Sequence, residues 1–289
     1  MCATCGCTPL LDPEAQQPQQ PHESHGHHGR PHDHEHQHQH QHGEEITLEQ
    51  KILAKNDDLA RQNRSWLRGR GILAVNLMSS PGSGKTTLLE RSGRDLAGRL
   101  TLAVIEGDQE TALDADRIRA AGSQVVQINT GAGCHLDAAM VGGALRTLDP
   151  APGTVVVIEN VGNLVCPALF DLGEAARVVL ASVTEGTDKP LKYPQMFRSA
   201  DLVVITKTDL GPYVDFDVAK FGEYIGQVSP QAMMIHLSSV TGDGLGQWYD
   251  WLGSQVPATP PSSVPPTGRT RRASFTPEAR GGQVGTKGP

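Results

Sequence analysis

Apolar residues gather into short runs at positions 73–78, 102–105, 125–128, 155–158, 178–182, 202–205 and 233–237, separated by stretches long enough to hold a helix. Runs of Val, Ile and Leu without strict alternation are what strands buried on both faces require, and helix-length spacers place such strands parallel. The expected fold is therefore α/β: a mostly parallel sheet of about seven strands with helices on both faces. Ahead of it, Thr47, Leu48, Glu49 and Gln50 resemble a capping box. It predicts a helix through Ile52, Leu53, Leu59 and Trp66 that ends near Gly69, with Lys55, Asp57, Asp58, Arg61 and Arg64 on a solvated face.

This patterning stops at both ends. Residues 1–45 are rich in Pro, Gln and His, and residues 254–289 in Pro, Ser, Thr and Arg, so neither stretch can bury a core and both are expected to be disordered around a folded part at 46–253. The low totals over the 289 residues, 37% hydrophobic and 4% aromatic, reflect these ends. A net charge of −7 argues against a general binder of nucleic acid or anionic membrane. With no apolar run of about 18 residues and no basic-then-apolar leader, the expectation is a cytoplasmic chain. Five cysteines, an odd number, then point to metal binding or reactivity rather than a disulfide framework.

The first run leads into Met78-Ser79-Ser80-Pro81-Gly82-Ser83-Gly84-Lys85-Thr86-Thr87, glycines set where a strand turns into a helix. Backbone N–H groups of Gly82, Ser83, Gly84, Lys85, Thr86 and Thr87 would converge on phosphate at the positive helix end, Lys85 would reach the β/γ-phosphates, and the Thr86 hydroxyl would hold Mg²⁺. This is the pattern of a P-loop NTPase, with Ser79 where the full pattern has glycine.

Ligands of such sheets bind at the carboxyl ends of the strands. There the second run is followed by Glu106-Gly107-Asp108 and the fourth by Glu159-Asn160-Val161-Gly162. Asp108 and Glu159 are candidates to hold Mg²⁺ or orient water, or else they merely cap the next helix; Gly162 is placed to read the γ-phosphate through its N–H. The sixth run ends Thr206-Lys207-Thr208-Asp209. It resembles the Asn-Lys-x-Asp motif of GTPases, in which the carboxylate, here Asp209, accepts from the N1–H and amine of guanine and the lysine stem, here Lys207, covers the ring. Adenine lacks that donor pair, so GTP is expected over ATP. Thr206 in place of Asn is expected to weaken the bracing of the loop. Ser238 and Ser239 resemble the segment that closes over the guanine oxygen.

Cys134 and His135 sit on a glycine-hinged turn after the third run, and Cys166 lies seven residues beyond Glu159. The three could meet one ion; the competing reading is that each is a small buried hydrophobe. At the N-terminus Cys2, Cys5 and Cys7 have no apolar neighbours, and their spacing lets three thiolates close on a thiophilic ion such as Ni²⁺ or Zn²⁺. A redox Cys-x-x-Cys would sit beside a βαβ unit, absent from this stretch. His22, His25, His27, His28, His32, His34, His36, His38, His40 and His42 offer many weak sites for metal storage, their irregular spacing being unlike that of an affinity tag.

Taken together, Cys-x-x-Cys-Gly-Cys, the histidine tract, Ser-Ser-Pro-Gly-Ser-Gly-Lys-Thr, Gly-Ala-Gly-Cys-His-Leu-Asp, Glu-Asn-Val-Gly-Asn-Leu-Val-Cys-Pro and Asp-Lys-Pro-Leu-Lys-Tyr-Pro resemble the HypB family of hydrogenase nickel-incorporation GTPases, over the N-terminus and most of residues 45–253. The resemblance implies a P-loop GTPase of the dimerising (SIMIBI) class. Such a protein delivers Ni²⁺ to the large subunit of [NiFe] hydrogenase together with a HypA-type metallochaperone. It further implies a tight nickel site at Cys2, Cys5 and Cys7, and a Ni²⁺ or Zn²⁺ site at Cys134, His135 and Cys166 in the interface of a nucleotide- and metal-dependent homodimer. Slow intrinsic turnover follows from the lack of an identifiable arginine finger. The alternatives are a nickel store and a nickel GTPase for urease maturation. Arg269, Arg271 and Arg272 in the tail have no assigned function.

Overall fold

The computed structural model describes residues 36–108, 113–256 and 288, with side chains from residue 48 onward. Seven strands, β1 (Leu73–Ser79), β2 (Leu102–Asp108), β3 (Gln124–Asn129), β4 (Val155–Glu159), β5 (Ala176–Ser182), β6 (Leu202–Thr206) and β7 (Met233–His236), form one sheet in the order β3-β2-β4-β1-β5-β6-β7. Every pairing is parallel. All seven coincide with the apolar runs of the sequence, and the α/β expectation holds. Among the described residues no helix is long and apolar enough to cross a membrane.

Among the described residues eight α-helices flank the sheet: α1 (His36–Gly69), α2 (Lys85–Asp95), α3 (Leu113–Ala120), α4 (Ala138–Leu148), α5 (Lys189–Lys192), α6 (Pro194–Arg198), α7 (Val218–Val228) and α8 (Leu245–Gln255). Alternate residues of β1 explain why both faces need cover. Leu73, Val75 and Leu77 enter a core with Leu88 and Leu89 of α2, Ile118 of α3 and Trp248 of α8. Ala74 enters a second core with Leu67 of α1 and Leu145 of α4, and Met78 a third with Phe197 of α6 and Phe221 of α7.

The leading helix differs from its expectation in extent and in face. It is already helical at His36, the first described residue, so Thr47 lies inside it rather than at its cap. The Gln- and Glu-containing stretch between carries no proline to stop it. Its packed stripe is Asn56, Ala60, Asn63 and Leu67, all buried, whereas Ile52 is 51% exposed. The two asparagines bridge α1 to the start of α4 and the loop before β5. Asn56 donates to Asp171 O and accepts from Ala138 N, and Asn63 donates to Ala138 O and Leu172 O. Arg64, expected on a solvated face, pairs with Asp171 at 2.7 Å. At the other end α8 runs two residues past the expected boundary at 253.

Candidate nucleotide and metal site

Gly82 (φ 72°) and Gly84 (φ 95°) take left-handed conformations that cost a side chain dearly, and Gly84 caps α2. Ser79 has no such conformation, which is why serine fits where the pattern has glycine, and its hydroxyl accepts from Lys85 Nζ at 3.0 Å. Side chains from later in the chain hold the loop from outside. Glu185 accepts from the hydroxyls of Ser80 (2.8 Å) and Ser83 (2.6 Å). Lys207 donates to Gly82 O at 2.7 Å, and the Thr206 hydroxyl donates to Ser83 O at 2.7 Å. Thr206, where the motif has Asn, still reaches the loop carbonyl, through this one hydroxyl contact.

A cavity of about 450 Å³ opens over this loop, lined by Pro81 to Thr87, by Glu106, Gly107, Asp108, Asp114 and Arg117, by Glu159 to Gly162, and by Lys207. Gly162 packs so close that a Cβ there would lie 2.8 Å from Pro81 Cα.

The floor carries a carboxylate cluster. Glu106 and Glu159 stand side by side on β2 and β4, both nearly inaccessible. Burial, and for Glu106 also the charge of Glu159, pushes their pKa values up to about 8 and about 7. Burial likewise lowers that of Lys85, against the opposing pull of Glu159, Asp114 and Glu185. Thr86 Oγ1 lies 2.9 Å from both Asp114 Oδ2 and Glu159 Oε1. A hydroxyl has one proton, so a bound cation or a protonated carboxyl must satisfy one of these contacts. Glu106 Oε2 and Glu159 Oε2 are buried with no hydrogen-bond partner among the described residues. Hard oxygen donors around an orphaned pair suit Mg²⁺. Asp108 ends β2 at the cavity wall, while the acids at the Thr86 hydroxyl are Asp114 and Glu159. Sequence reasoning missed Asp114 and Glu185, which sit inside a helix and a loop with no pattern to mark them. It could have found Glu106, a charge in the interior of an apolar strand.

Of the residues expected to read the base, Lys207 lines this cavity, whereas Asp209, Ser238 and Ser239 do not. Lys207 adopts φ 58° and starts a 3-10 turn, Thr208–Tyr213. On it Asp209 Oδ1 is buried without a hydrogen-bond partner among the described residues. Ser238 Oγ accepts from Val240 N and Thr241 N, which folds its loop, and Ser239 O accepts from Arg91.

Cys134, His135 and Cys166 come together, their ligand atoms within 4.8 Å of one another. The two sulfurs are 3.0 Å apart, beyond the ~2.05 Å of a disulfide, and His135 Nδ1 is 3.6 Å from Cys134 Sγ. Zinc-type bonds of about 2.0–2.3 Å make the edges of a tetrahedral site roughly 3.3–3.8 Å, so the nitrogen–sulfur spacing already fits and the two sulfurs would part by about 0.8 Å to share an ion. Cys166 opens a 3-10 turn, Cys166–Leu169, and Asn163 Oδ1 accepts from the N–H groups of Val165 and Cys166 at its start. Its sulfur faces Cys134, although the residue is only 1% exposed. The His135 ring stacks on Phe170 at 4.0 Å, and burial lowers its pKa, against Asp137, keeping the ring in the neutral form that ligates metal. Cys2, Cys5, Cys7, His22, His25, His27, His28, His32 and His34 lie outside the described residues. So do the side chains of His36, His38, His40 and His42, whose backbone is in α1.

Residues 73–236 match the family model described as CobW/HypB/UreG, nucleotide-binding domain. The hydrogenase maturation factor HypB of Azotobacter vinelandii is 55% identical over 210 residues, covering 73% of this chain and 69% of that one. Two crystal structures are also similar. HypB from Archaeoglobus fulgidus is 42% identical with a TM-score of 0.67, over 71% of this chain and all of that one. HypB from Helicobacter pylori, in complex with nickel, is 39% identical with a TM-score of 0.65, over 72% of this chain and all of that one. On these grounds, and on the phosphate loop and the thiol cluster it carries, the chain belongs to the HypB family of hydrogenase maturation factors within the CobW/HypB/UreG nucleotide-binding group.

Proposed function

We propose that this protein is a GTPase that binds Ni²⁺ at Cys134, His135 and Cys166 and releases it in step with GTP hydrolysis. The receiver is the large subunit of [NiFe] hydrogenase, and a HypA-type metallochaperone is the partner. The observation that carries this reading is the adjacency of two sites: the strand β4 that ends in Glu159 at the phosphate cavity continues, within seven residues, into Cys166.

In this reading Gly82 to Thr87 bind the phosphates through backbone N–H groups, and Lys85 turns from Ser79 to the β/γ-phosphates. Asp209 selects guanine. Thr86, Asp108, Asp114 and Glu159 would hold Mg²⁺, which when bound neutralises phosphate charge. Glu159 or Asp108 orients the attacking water. Catalysis is mainly positioning and electrostatics, and with Arg117, the arginine at the cavity, held by Glu90 and Asp114, turnover is slow. Loss of the γ-phosphate frees Gly162 and lets segment 159–166 shift Cys166. Three protein ligands leave a fourth position for water or for a group from a second copy in a homodimer, and that vacancy permits transfer. Zn²⁺ suits the same donors. Cys2, Cys5 and Cys7 serve as a tight Ni²⁺ site.

The test is a Ni²⁺ titration of the full chain carrying Ser at positions 2, 5 and 7, loaded with GDP or with a non-hydrolysable GTP analogue. A difference in affinity between the two states is expected; equal affinity and stoichiometry would defeat the reading.

A further inference from the structure

Leu136, which directly follows His135, is wedged between the two strand ends that carry the cavity carboxylates. Its N–H donates to Asn160 Oδ1 at 3.2 Å. Its side chain rests against Gly107, where a Cβ would lie 2.9 Å from Leu136 Cγ and both its methyls. Gly107 stands between Glu106 and Asp108, and Asn160 follows Glu159 and lines the cavity.

Asn160 also reaches toward the second thiol-bearing segment. Its Nδ2 donates to Asn76 Oδ1 at 3.3 Å, and Asn76 Nδ2 donates to Glu174 Oε1 at 3.4 Å. Glu174 accepts from Arg177 Nε at 2.6 Å. The Arg177 guanidinium in turn donates to Phe170 O at 3.3 Å, and the Phe170 ring stacks on His135. Asn76, Asn160 and Glu174 are all buried. Buried polar groups cannot shift singly without stranding a partner, so a displacement at one end is passed along such a chain instead of being absorbed by water.

We propose that Asn160 is the positioning residue through which the state of the nucleotide cavity sets the geometry of Cys134, His135 and Cys166. It does so by holding Leu136 on one side and the Asn76–Glu174–Arg177 chain on the other. The inference rests on the functional reading above, in which nucleotide and metal are linked, and it assigns that link to one amide.

The experiment measures Ni²⁺ affinity from the thiolate-to-nickel absorption band in the GDP state and in the state with the GTP analogue. It uses the full chain with Ser at positions 2, 5 and 7, and that chain with Asn160→Ala or Asn76→Ala, each checked by thermal melting. The parent is expected to show a ratio of affinities within the ~5–150-fold range usual for coupled sites, and both variants a ratio within about twofold of one, with the band retained. A folded Asn160→Ala protein that keeps the parent ratio would overturn the proposal. So would Asn160→Ala losing the band while Asn76→Ala keeps the parent ratio, since Asn160 would then only support its own loop. Should Asn160→Ala not fold, Asn76→Ala, which lines neither site, decides the matter by the same ratio. A parent ratio near one defeats the functional reading itself, before any variant is compared.

Discussion

Cys134 Sγ and Cys166 Sγ lie 3.0 Å apart although the residues are 32 positions apart in sequence and follow different strands, β3 and β4. The parallel register of β2 between them places both strand ends at the same edge of the sheet. In a chain with Ser at positions 2, 5 and 7, Cys166→Ser is expected to weaken Co²⁺ or Ni²⁺ binding by at least ~10-fold, the loss typical of disturbing even a group hydrogen-bonded to a ligand. The thiolate charge-transfer band should fall with it. Binding unchanged in strength and spectrum would place the ion elsewhere.

Asp209 presents a buried carboxylate oxygen that no described group satisfies. Filling it with the donor pair of guanine is the expected use. Asp209→Asn exchanges one acceptor for a donor, so GTP affinity should fall by about 1–3 kcal/mol, roughly 5–150-fold. Xanthosine triphosphate, with a carbonyl where guanine has its amine, should bind the variant better than GTP does. Competition binding with the two nucleotides checks both.

Glu106 and Glu159 make stability depend on pH in a definite direction. Their folded-state pKa values, about 8 and about 7, lie above the ordinary carboxylate value. The folded protein therefore binds more protons than the unfolded chain between that value and about 8. Stability is present in full below the unfolded pKa and is lost as pH rises through about 7 to 8. Thermal melts of the nucleotide- and metal-free protein from pH ~5.5 to ~8.5 should fall, and Glu106→Gln should flatten the fall and stabilise the protein at the alkaline end by on the order of 2 kcal/mol. A flat profile in the parent would contradict the burial argument.

Gly162 has no room for a methyl group, because the nearest atoms, Pro81 Cα at 2.8 Å and Pro81 N at 2.9 Å, belong to the backbone of the phosphate loop. Gly162→Ala should cost about 1–3 kcal/mol in chemical denaturation and displace the loop, so nucleotide binding falls as well. A variant with parent stability and affinity would show that the two segments separate freely.

How much of the site could be read in advance follows from distance along the chain. The phosphate loop is local: strand, glycines, lysine and helix start are consecutive, so Gly82 to Thr87 were legible, as were the strand-end positions of Glu159 and Asp209. Glu185 and Asp114 were not, since one grips Ser80 and Ser83 from 105 and 102 residues away and the other meets Thr86 from a different helix. That the Thr206 hydroxyl reaches Ser83 O was likewise not legible, because it depends on how close the phosphate loop comes to the end of β6. The buried stripe of α1 was misread. Asparagines look like solvent residues until a neighbouring loop offers them Ala138, Asp171 and Leu172 backbone groups to bond.

Hydrophobic periodicity decided that seven strands exist and that they are parallel and covered on both sides, and the consecutive glycines, lysine and threonine decided that a phosphate loop follows the first. Those properties depend on which residues are neighbours in sequence. The strand order, the pairing of Glu106 with Glu159, the meeting of Cys134 with Cys166, and the amide chain through Asn160 depend on which strand ends become neighbours in space. That choice is made by packing the whole sheet, and no short stretch of the chain contains it.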